Sequence, residues 1–290
     1  MGCIACVGLL KDSEDELNAI TLVLKKQSSI SIEADSICPD LFAGRSQSEI
    51  EALPAFYGRR KVTLGDLFRV EGDRSDHVVV RGYLQHVKHI GQGMSGGLIT
   101  IHSDVGMHLG AKMSGGAIIV HGNADAWAGA HMSGGVIQVH GNAGAMLGAA
   151  YSGERRGMRG GMILVEGNVG PRAGERMRRG LIAVQGSVGE FAGARMIAGS
   201  LVVFGTLGAR AGAGMKRGTM VALGGLADGL LPVFRYNCSY RPAFLRVYLR
   251  RLGEWGFPVT SEQIESVFHR YAGDITTLGK GEILVNDQHQ

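Results

Sequence analysis

Proline is scarce, with 6 residues, so the chain is not one of the Pro/Gly-rich disordered sequences despite its 47 glycines. Aromatic residues make up only 6%. A core with so few rings must be narrow, filled by Val, Ile, Leu, Met and Ala, with glycine where the backbone turns sharply. Cysteine is limited to Cys3, Cys6, Cys38 and Cys238. Cys3 and Cys6 form a lone C-x-x-C without the second pair that a zinc ribbon needs, so the four read as reduced thiols of a cytoplasmic protein. No apolar run reaches the roughly 20 residues of a membrane-crossing helix. Residues 1–10 are apolar but lack a basic leading segment and a small-residue cleavage site, which argues against a signal peptide. Cys6 stands where a myristoylation signal prefers Ser or Thr. The net charge of +4 is too small a bias to identify a partner.

What is present is a repeat. Met94, Met113 and Met132 are 19 residues apart, and Tyr151 takes the next step. After seven further residues, Met158, Met177, Met196 and Met215 resume the period of 19. Three residues after each Met comes a glycine, without exception: Gly97, Gly116, Gly135, Gly161, Gly180, Gly199 and Gly218. A second signal, G-xx-G-xxx-G, precedes the methionines and is complete in Gly141/Gly144/Gly148, Gly167/Gly170/Gly174, Gly186/Gly189/Gly193 and Gly205/Gly208/Gly212. Between the glycines lie short alternating pairs such as Ile99/Ile101, Ile118/Val120, Ile137/Val139, Ile163/Val165 and Ile182/Val184. Alternation over so few residues predicts short strands.

A 19-residue unit is too short for a strand–helix–strand crossover. The repeat predicts an all-β stack, a parallel β-helix of about seven coils, each burying its apolar side only against its neighbours. Equivalent residues then lie roughly 4.8 Å apart and the rod is on the order of 30 Å long. The methionines read as an internal column, since Met fills irregular gaps. The seven glycines read as structural turns.

The flanks read as caps: residues 1–18 as an unassigned tail, 19–76 as a small N-terminal α/β cap, 77–231 as the glycine-rich coils, and 232–290 as a C-terminal helical cap with a final strand. Ile20 to Leu24 alternates like a strand. Ser46 to Glu49 is a capping box opening a short helix before Pro54. Pro242 suits a helix start, with Phe244, Leu245, Tyr248, Leu249 and Leu252 on one face and Arg246, Arg250 and Arg251 largely opposite. Thr260 to Gln263 is a second capping box, before Ile264, Val267 and Phe268, and residues 281–285 read as the last strand.

Two sets of side chains invite a functional reading. His102, His121 and His140 share one column, but the first and third would start roughly 10 Å apart, too far to converge on one zinc without distortion. The column continues as Glu166, Gln185, Phe204 and Leu223, as expected of a surface ladder that becomes a covered face. The second set is basic: Arg155 and Arg156 in the insertion, then Arg159, Arg176, Arg178, Arg179, Arg195, Lys216 and Arg217 around the later methionines. Stacking would gather them into a stripe, either a solvated face or a docking face for an acidic partner. Nucleic acid is disfavoured because no aromatics are interleaved with the charge. No nucleophile with a base, paired acid and base, or closed ligand set is evident.

The glycine repeat resembles the β-helix domain of the glutamate synthase large subunit. "ALPAFYGRRKVTLGDLFRVEGD", "VGMHLGAKMSGG", "AAYSGERRGMRGG", "RRGLIAVQGSVGEFAG", "MIAGSLVVFG", "LLPVFRYNCSYRPAFLRVYLRRL" and "GDITTLGKGEILV" are more specific. They resemble the C subunit of formylmethanofuran dehydrogenase and of its bacterial counterpart, the formyltransferase/hydrolase complex. The likeness runs from about residue 21 to 285; the tail falls outside it. It implies a right-handed helix and a non-catalytic scaffold, with no catalytic, cofactor-binding or metal-binding residues in this chain. The complex would move a formyl group from a tetrahydropterin to methanofuran or its bacterial analogue and hydrolyse it to formate. Partners implied are amidohydrolase-type, formyltransferase-type and molybdopterin-protein-like subunits. They would hold the metals: zinc, and molybdenum or tungsten in dehydrogenase forms. The glutamate-rich tail implied for the cofactor is one acidic candidate for the basic stripe; a partner subunit is the favoured one. The alternatives are a stand-alone glutamate-synthase-like binding module and a histidine-ladder metalloenzyme resembling the trimeric carbonic anhydrases; the 19-residue period argues against the latter.

Overall fold

Short apolar strands flanked by glycines pair with the copy one period away, because that partner presents the same pattern of buried and exposed positions. The computed structural model describes residues 18–287, and the C-x-x-C of Cys3 and Cys6 lies outside them. The chain is mostly β. Leu98–Ile101, Ala117–Val120, Val136–Val139, Arg159–Val165, Arg179–Val184, Ser200–Val203 and Arg217–Ala222 each pair in parallel with the next. The register aligns Ile99, Ile118, Ile137, Ile163, Ile182, Leu201 and Met220 in one column, all buried. A second ladder of single parallel bridges joins Leu84, Val105, Ala124, Ala143, Val169, Val188, Leu207 and Leu226. Bonds at the corners add to these two ladders, the Gly110, Gly129 and Gly148 N–H groups donating to the Ile90, Leu109 and Ala128 carbonyls of the preceding coil.

The Met and Gly columns are coupled. All seven methionines of the repeat are fully buried. The glycines three residues after them have φ between +75° and +105°, a region that L-residues with a Cβ avoid. Each Met lies beneath the glycine of the following coil: a Cβ at Gly116 would sit 2.4 Å from Met94 Cε, and one at Gly135 2.6 Å from Met113 Cε. The last in the series, Met215, reaches Gly281 of the final strand in the same way, at 2.6 Å. Tyr151 does not join the column. Met158 fills that interior place, its N–H donating to the Gly148 carbonyl at 2.9 Å, and Tyr151 turns outward. The interior slot accepts a thin thioether chain but not a phenol ring with a hydroxyl that must be hydrogen-bonded.

Strands from both flanks extend the stack. Ile20–Leu24 adds in parallel to His77–Arg81, which pairs with Leu98–Ile101, and Phe68–Glu71 closes that side antiparallel. At the other end Lys280–Asn286 adds in parallel to Arg217–Ala222, followed by Phe268–Gly273 and Arg235–Tyr240, both antiparallel. The result is a 13-stranded sheet. A smaller four-stranded sheet includes Arg60–Thr63, Pro54–Tyr57, Ile32–Glu33 and Val87–Lys88.

The helices start where the capping signals stand: Gln47–Glu51 after Ser46, Ala243–Glu254 after Pro242, and Ser261–Glu265 after Thr260. Two expectations fail in detail. Phe244 and Tyr248 are 41% and 38% exposed, and only Leu245, Leu249 and Leu252 are buried, against Leu164, Ala183, Val202, Val221 and Leu284. A straight helix on a flat sheet buries one narrow stripe. The third helix ends at Glu265, because Ser266 is extended with ψ 152°, and Phe268 opens a strand opposite Asn286 instead of continuing the helix.

Candidate docking face

The seven-residue insertion leaves the stack and returns without disturbing it. Val136 pairs with Met162, 26 residues on, as though nothing had been added. Within the loop the Glu154 N–H donates to the Tyr151 carbonyl at 3.0 Å, and the Gly157 N–H to the Arg176 carbonyl at 2.9 Å. Arg176 Nη1 donates back to the Glu154 carbonyl at 2.7 Å. Residues 152–156 are exposed, with Arg155 and Arg156 among them.

The structure brings part of the basic set into register. Arg159 and Arg179 are register partners in adjacent strands. Arg178, half-buried, begins the same turn, its N–H on the Met158 carbonyl at 2.8 Å. Lys216 and Arg217 stand apart, since Ile197 and Ala198 occupy the intervening coil. Arg217 pairs instead with Lys280. Ile197 and Ala198 thus interrupt the stripe between Arg178/Arg179 and Lys216/Arg217. Among the described residues, Arg155, Arg156, Arg159, Arg178, Arg179, Lys216 and Arg217 have no carboxylate within ion-pair distance, whereas Arg176 and Arg195 share Glu175. An unneutralised cluster of this kind attracts anionic surfaces and fixes the register of association.

Two further members of the stripe, Arg176 and Arg195, gather with Arg172 around an acid that the sequence pattern did not single out. Glu175, its side chain 11% exposed, lies 3.4 Å from Arg172 Nη1, 3.8 Å from Arg195 Nη1 and 3.9 Å from Arg176 Nε. One carboxylate holds three guanidiniums, leaving net positive charge next to the loop. The available signal was Glu175 itself, an acid in a column that otherwise reads Gln92, Ala111, Ala130, Ala149, Ala194 and Ala213.

On the adjoining corner runs a second unforeseen column: His89, His108, Trp127, Met146, Arg172, Phe191 and Arg210, all with φ between +58° and +66°. His89 and His108 stack at 4.6 Å, and His108 on Trp127 at 5.5 Å. The outward Tyr151 closes this group, its hydroxyl 2.9 Å from His108 Nδ1 and its N–H donating to His131 Nε2 at 3.0 Å. Burial, with the neighbouring His89 and Lys88 adding to it, pushes the His108 pKa down to about 4, so the ring that shares a hydrogen bond with the Tyr151 hydroxyl is neutral. Further along, the Arg172 and Arg210 guanidiniums lie 5.8 Å and 5.3 Å from the Phe191 ring centre, a cation–π sandwich.

His102, His121 and His140 form a face-to-face ladder at 4.9 Å and 5.1 Å, ending where His140 Nδ1 meets Glu166 Oε1 at 2.6 Å. Stacked rings direct their nitrogens sideways in parallel, whereas ligands of one ion must converge on it. Among the described residues no cluster of His, Cys, Asp and Glu has the arrangement of a metal site. Cys38, buried and donating to Asp40 Oδ2 at 3.2 Å, has its pKa pushed up to about 12 by burial first, which makes it a poor nucleophile.

No family model matches the chain. It is 37% identical over 96 residues to the C subunit of the tungsten-containing formylmethanofuran dehydrogenase 2 of Methanothermobacter marburgensis, covering 31% of this chain and 36% of that protein. It is 38% identical over 101 residues to the C subunit of the molybdenum-containing formylmethanofuran dehydrogenase 1 of Methanosarcina barkeri, covering 33% and 34% respectively. The matched segment thus spans about a third of the length of these curated relatives. A far longer likeness is to a chain in the crystal structure of the formyltransferase/hydrolase complex FhcABCD from Methylorubrum extorquens, solved with methylofuran. The identity is 37%, the TM-score 0.85, and the alignment covers 91% of this chain and 98% of that one.

Proposed function

The chain belongs to the family of the formylmethanofuran dehydrogenase C subunit, and from that premise we propose that it is the scaffold of a formyltransferase/hydrolase-type complex. In this reading the assembly takes a formyl group from formyl-tetrahydromethanopterin to a methanofuran analogue and releases it as formate. This chain holds the subunits that carry the chemistry. They are of formyltransferase, amidohydrolase and molybdopterin-protein-like type, and any zinc resides on them. The coils wind as a right-handed parallel β-helix, and the face around Arg155, Arg156, Arg159, Arg178 and Arg179 meets an acidic surface of a partner subunit.

The observation that carries this reading is the likeness along 98% of a chain from the formyltransferase/hydrolase complex. At 91% of this chain, it extends well beyond the generic repeat. The unneutralised arginines beside the insertion support the placing of the interface, because a charged group meant only for solvent needs no pinned loop to present it. The test is purification through a tag on this chain from its native cells. Formyltransferase-type and amidohydrolase-type subunits are expected in stoichiometric amounts, with formate release from a formyl-tetrahydropterin donor. Recovery of the chain alone, from cells in which those subunits are made, refutes the reading.

A further inference from the structure

The two edges of the 13-stranded sheet are treated differently. At one edge the helix Gln47–Glu51 lies against Phe68–Glu71, and the Gln47 side-chain amide donates to the Val70 carbonyl at 2.9 Å. At the other, Arg235–Tyr240 is paired on one side only, with Phe268–Gly273. Four of its six residues are exposed, Tyr236 to 58%. Among the described residues no loop backbone bonds to this strand from outside the sheet. It has neither the lysine nor the proline that commonly guards an edge. Its side chains are nonetheless held: Tyr236 Oη lies 3.0 Å from Ser239 Oγ, which is 2.6 Å from His269 Nδ1, and Arg270 Nη1 donates to Asn237 Oδ1 at 3.3 Å. An ordered, uncovered row of backbone donors and acceptors is a template for an added strand.

We propose that Arg235–Tyr240 is the docking edge for an extended, acidic segment of a partner subunit, which joins the sheet as a further strand. This rests on the scaffold function proposed above. The charge of the partner follows from the surroundings. From Gly229 to Gly253 the chain has no Asp or Glu but has Arg235, Arg241, Arg246, Arg250 and Arg251. Arg246 and Arg251 are neutralised by Glu265 and Glu254. Arg235 and Arg241, which flank the strand, have no carboxylate partner among the described residues. A second copy of this chain is a poor occupant. Centred antiparallel pairing would bring Arg235 and Arg241 of both copies side by side, and like charges across a strand pair are destabilising. The bulge between Tyr236 and Cys238 also breaks the flat register that indiscriminate edge pairing needs, so the edge selects a strand that fits it.

Hydrogen exchange of the wild-type chain, alone and in the complex purified through its tag, tests the proposal. The outward-facing amides of residues 235–240 are expected to exchange at least about tenfold more slowly in the complex. Arg235→Glu combined with Arg241→Glu is expected to weaken assembly about tenfold or more at low salt, with unchanged circular dichroism and melting temperature. An assembled complex in which these amides exchange as fast as in the free chain overturns the docking edge and leaves the scaffold function standing. A chain that brings down no partner subunits overturns both. A concentration-dependent dimer of the isolated chain that protects the same amides replaces the partner strand with self-association.

Discussion

Arg176 holds Glu154 by its backbone: the guanidinium donates to the Glu154 carbonyl at 2.7 Å, across the mouth of the seven-residue insertion. The contact fixes the loop that carries Arg155 and Arg156 without engaging their side chains. Arg176→Ala is expected to accelerate amide exchange across residues 152–157 and to lower stability by only about 1 kcal/mol, the scale of one partly exposed hydrogen bond. Unchanged exchange in the loop would show that Arg176 does not hold it.

Replacing Arg155, Arg156 and Arg159 with Ala is expected to leave the coils folded and to weaken assembly, because the three are exposed and have no carboxylate partner among the described residues. The difference from wild type should be large at low salt and shrink as salt screens the wild-type interaction. Co-purification across a salt series, with circular dichroism as the folding control, checks it. Wild-type affinity at every salt concentration would identify a merely solvated face.

Gly116→Val is expected to cost about 2 kcal/mol or more. The new Cβ meets Met94 Cε at 2.4 Å and the Gly97 carbonyl oxygen at 2.7 Å, at a φ of +75°. The methionine tip can move; the carbonyl belongs to the neighbouring coil and cannot without opening the stack. Thermal melts are the measurement, and a loss below about 0.5 kcal/mol contradicts the constraint.

His108 predicts a pH dependence. Its folded pKa, about 4, lies below the ordinary 6.5, so between those values the unfolded chain binds the proton more readily than the folded one. The stabilising contribution is complete above about pH 6.5 and is lost as pH falls toward 4. Discounted for the ring's partial exposure, it amounts to about 1–2 kcal/mol. His108→Asn, chosen because Asn tolerates positive φ, should flatten stability between pH 6.5 and 4 relative to wild type. Parallel profiles for the two proteins would refute it.

The parts of this fold that repeat one residue type were readable in the sequence. Met at a fixed step and Gly three places later express a single constraint, a thioether under a turn that has no room for a Cβ. The helix starts at Ser46 and Thr260 were legible because a cap is a local bond between neighbours in sequence. The corner column from His89 to Arg210 was not, because every member has the same unusual φ while the side chains share no type. Backbone geometry there is imposed by the stack, and sequence alone displays only chemistry. Tyr151 misled for the opposite reason: it occupies the right step in sequence, but seven residues later Met158 competes for the same interior place and fits it better. The basic face was half legible. The arginines could be counted, but Ile197 and Ala198, which divide them, mattered only once the coils were in register, and Glu175 became visible only by what surrounds it.

Antiparallel strands finish the stack at both ends, so its length is set by how many periods the chain encodes. That makes the molecule a gauge. Whatever docks near Phe68–Glu71 and whatever docks near Arg235–Tyr240 are kept at a separation counted in coils. Duplicating one 19-residue unit would move them apart by about 4.8 Å while leaving each surface unaltered. The insertion after Tyr151 shows the complementary freedom: residues can be added at a turn, as decoration for a neighbour, without changing that count.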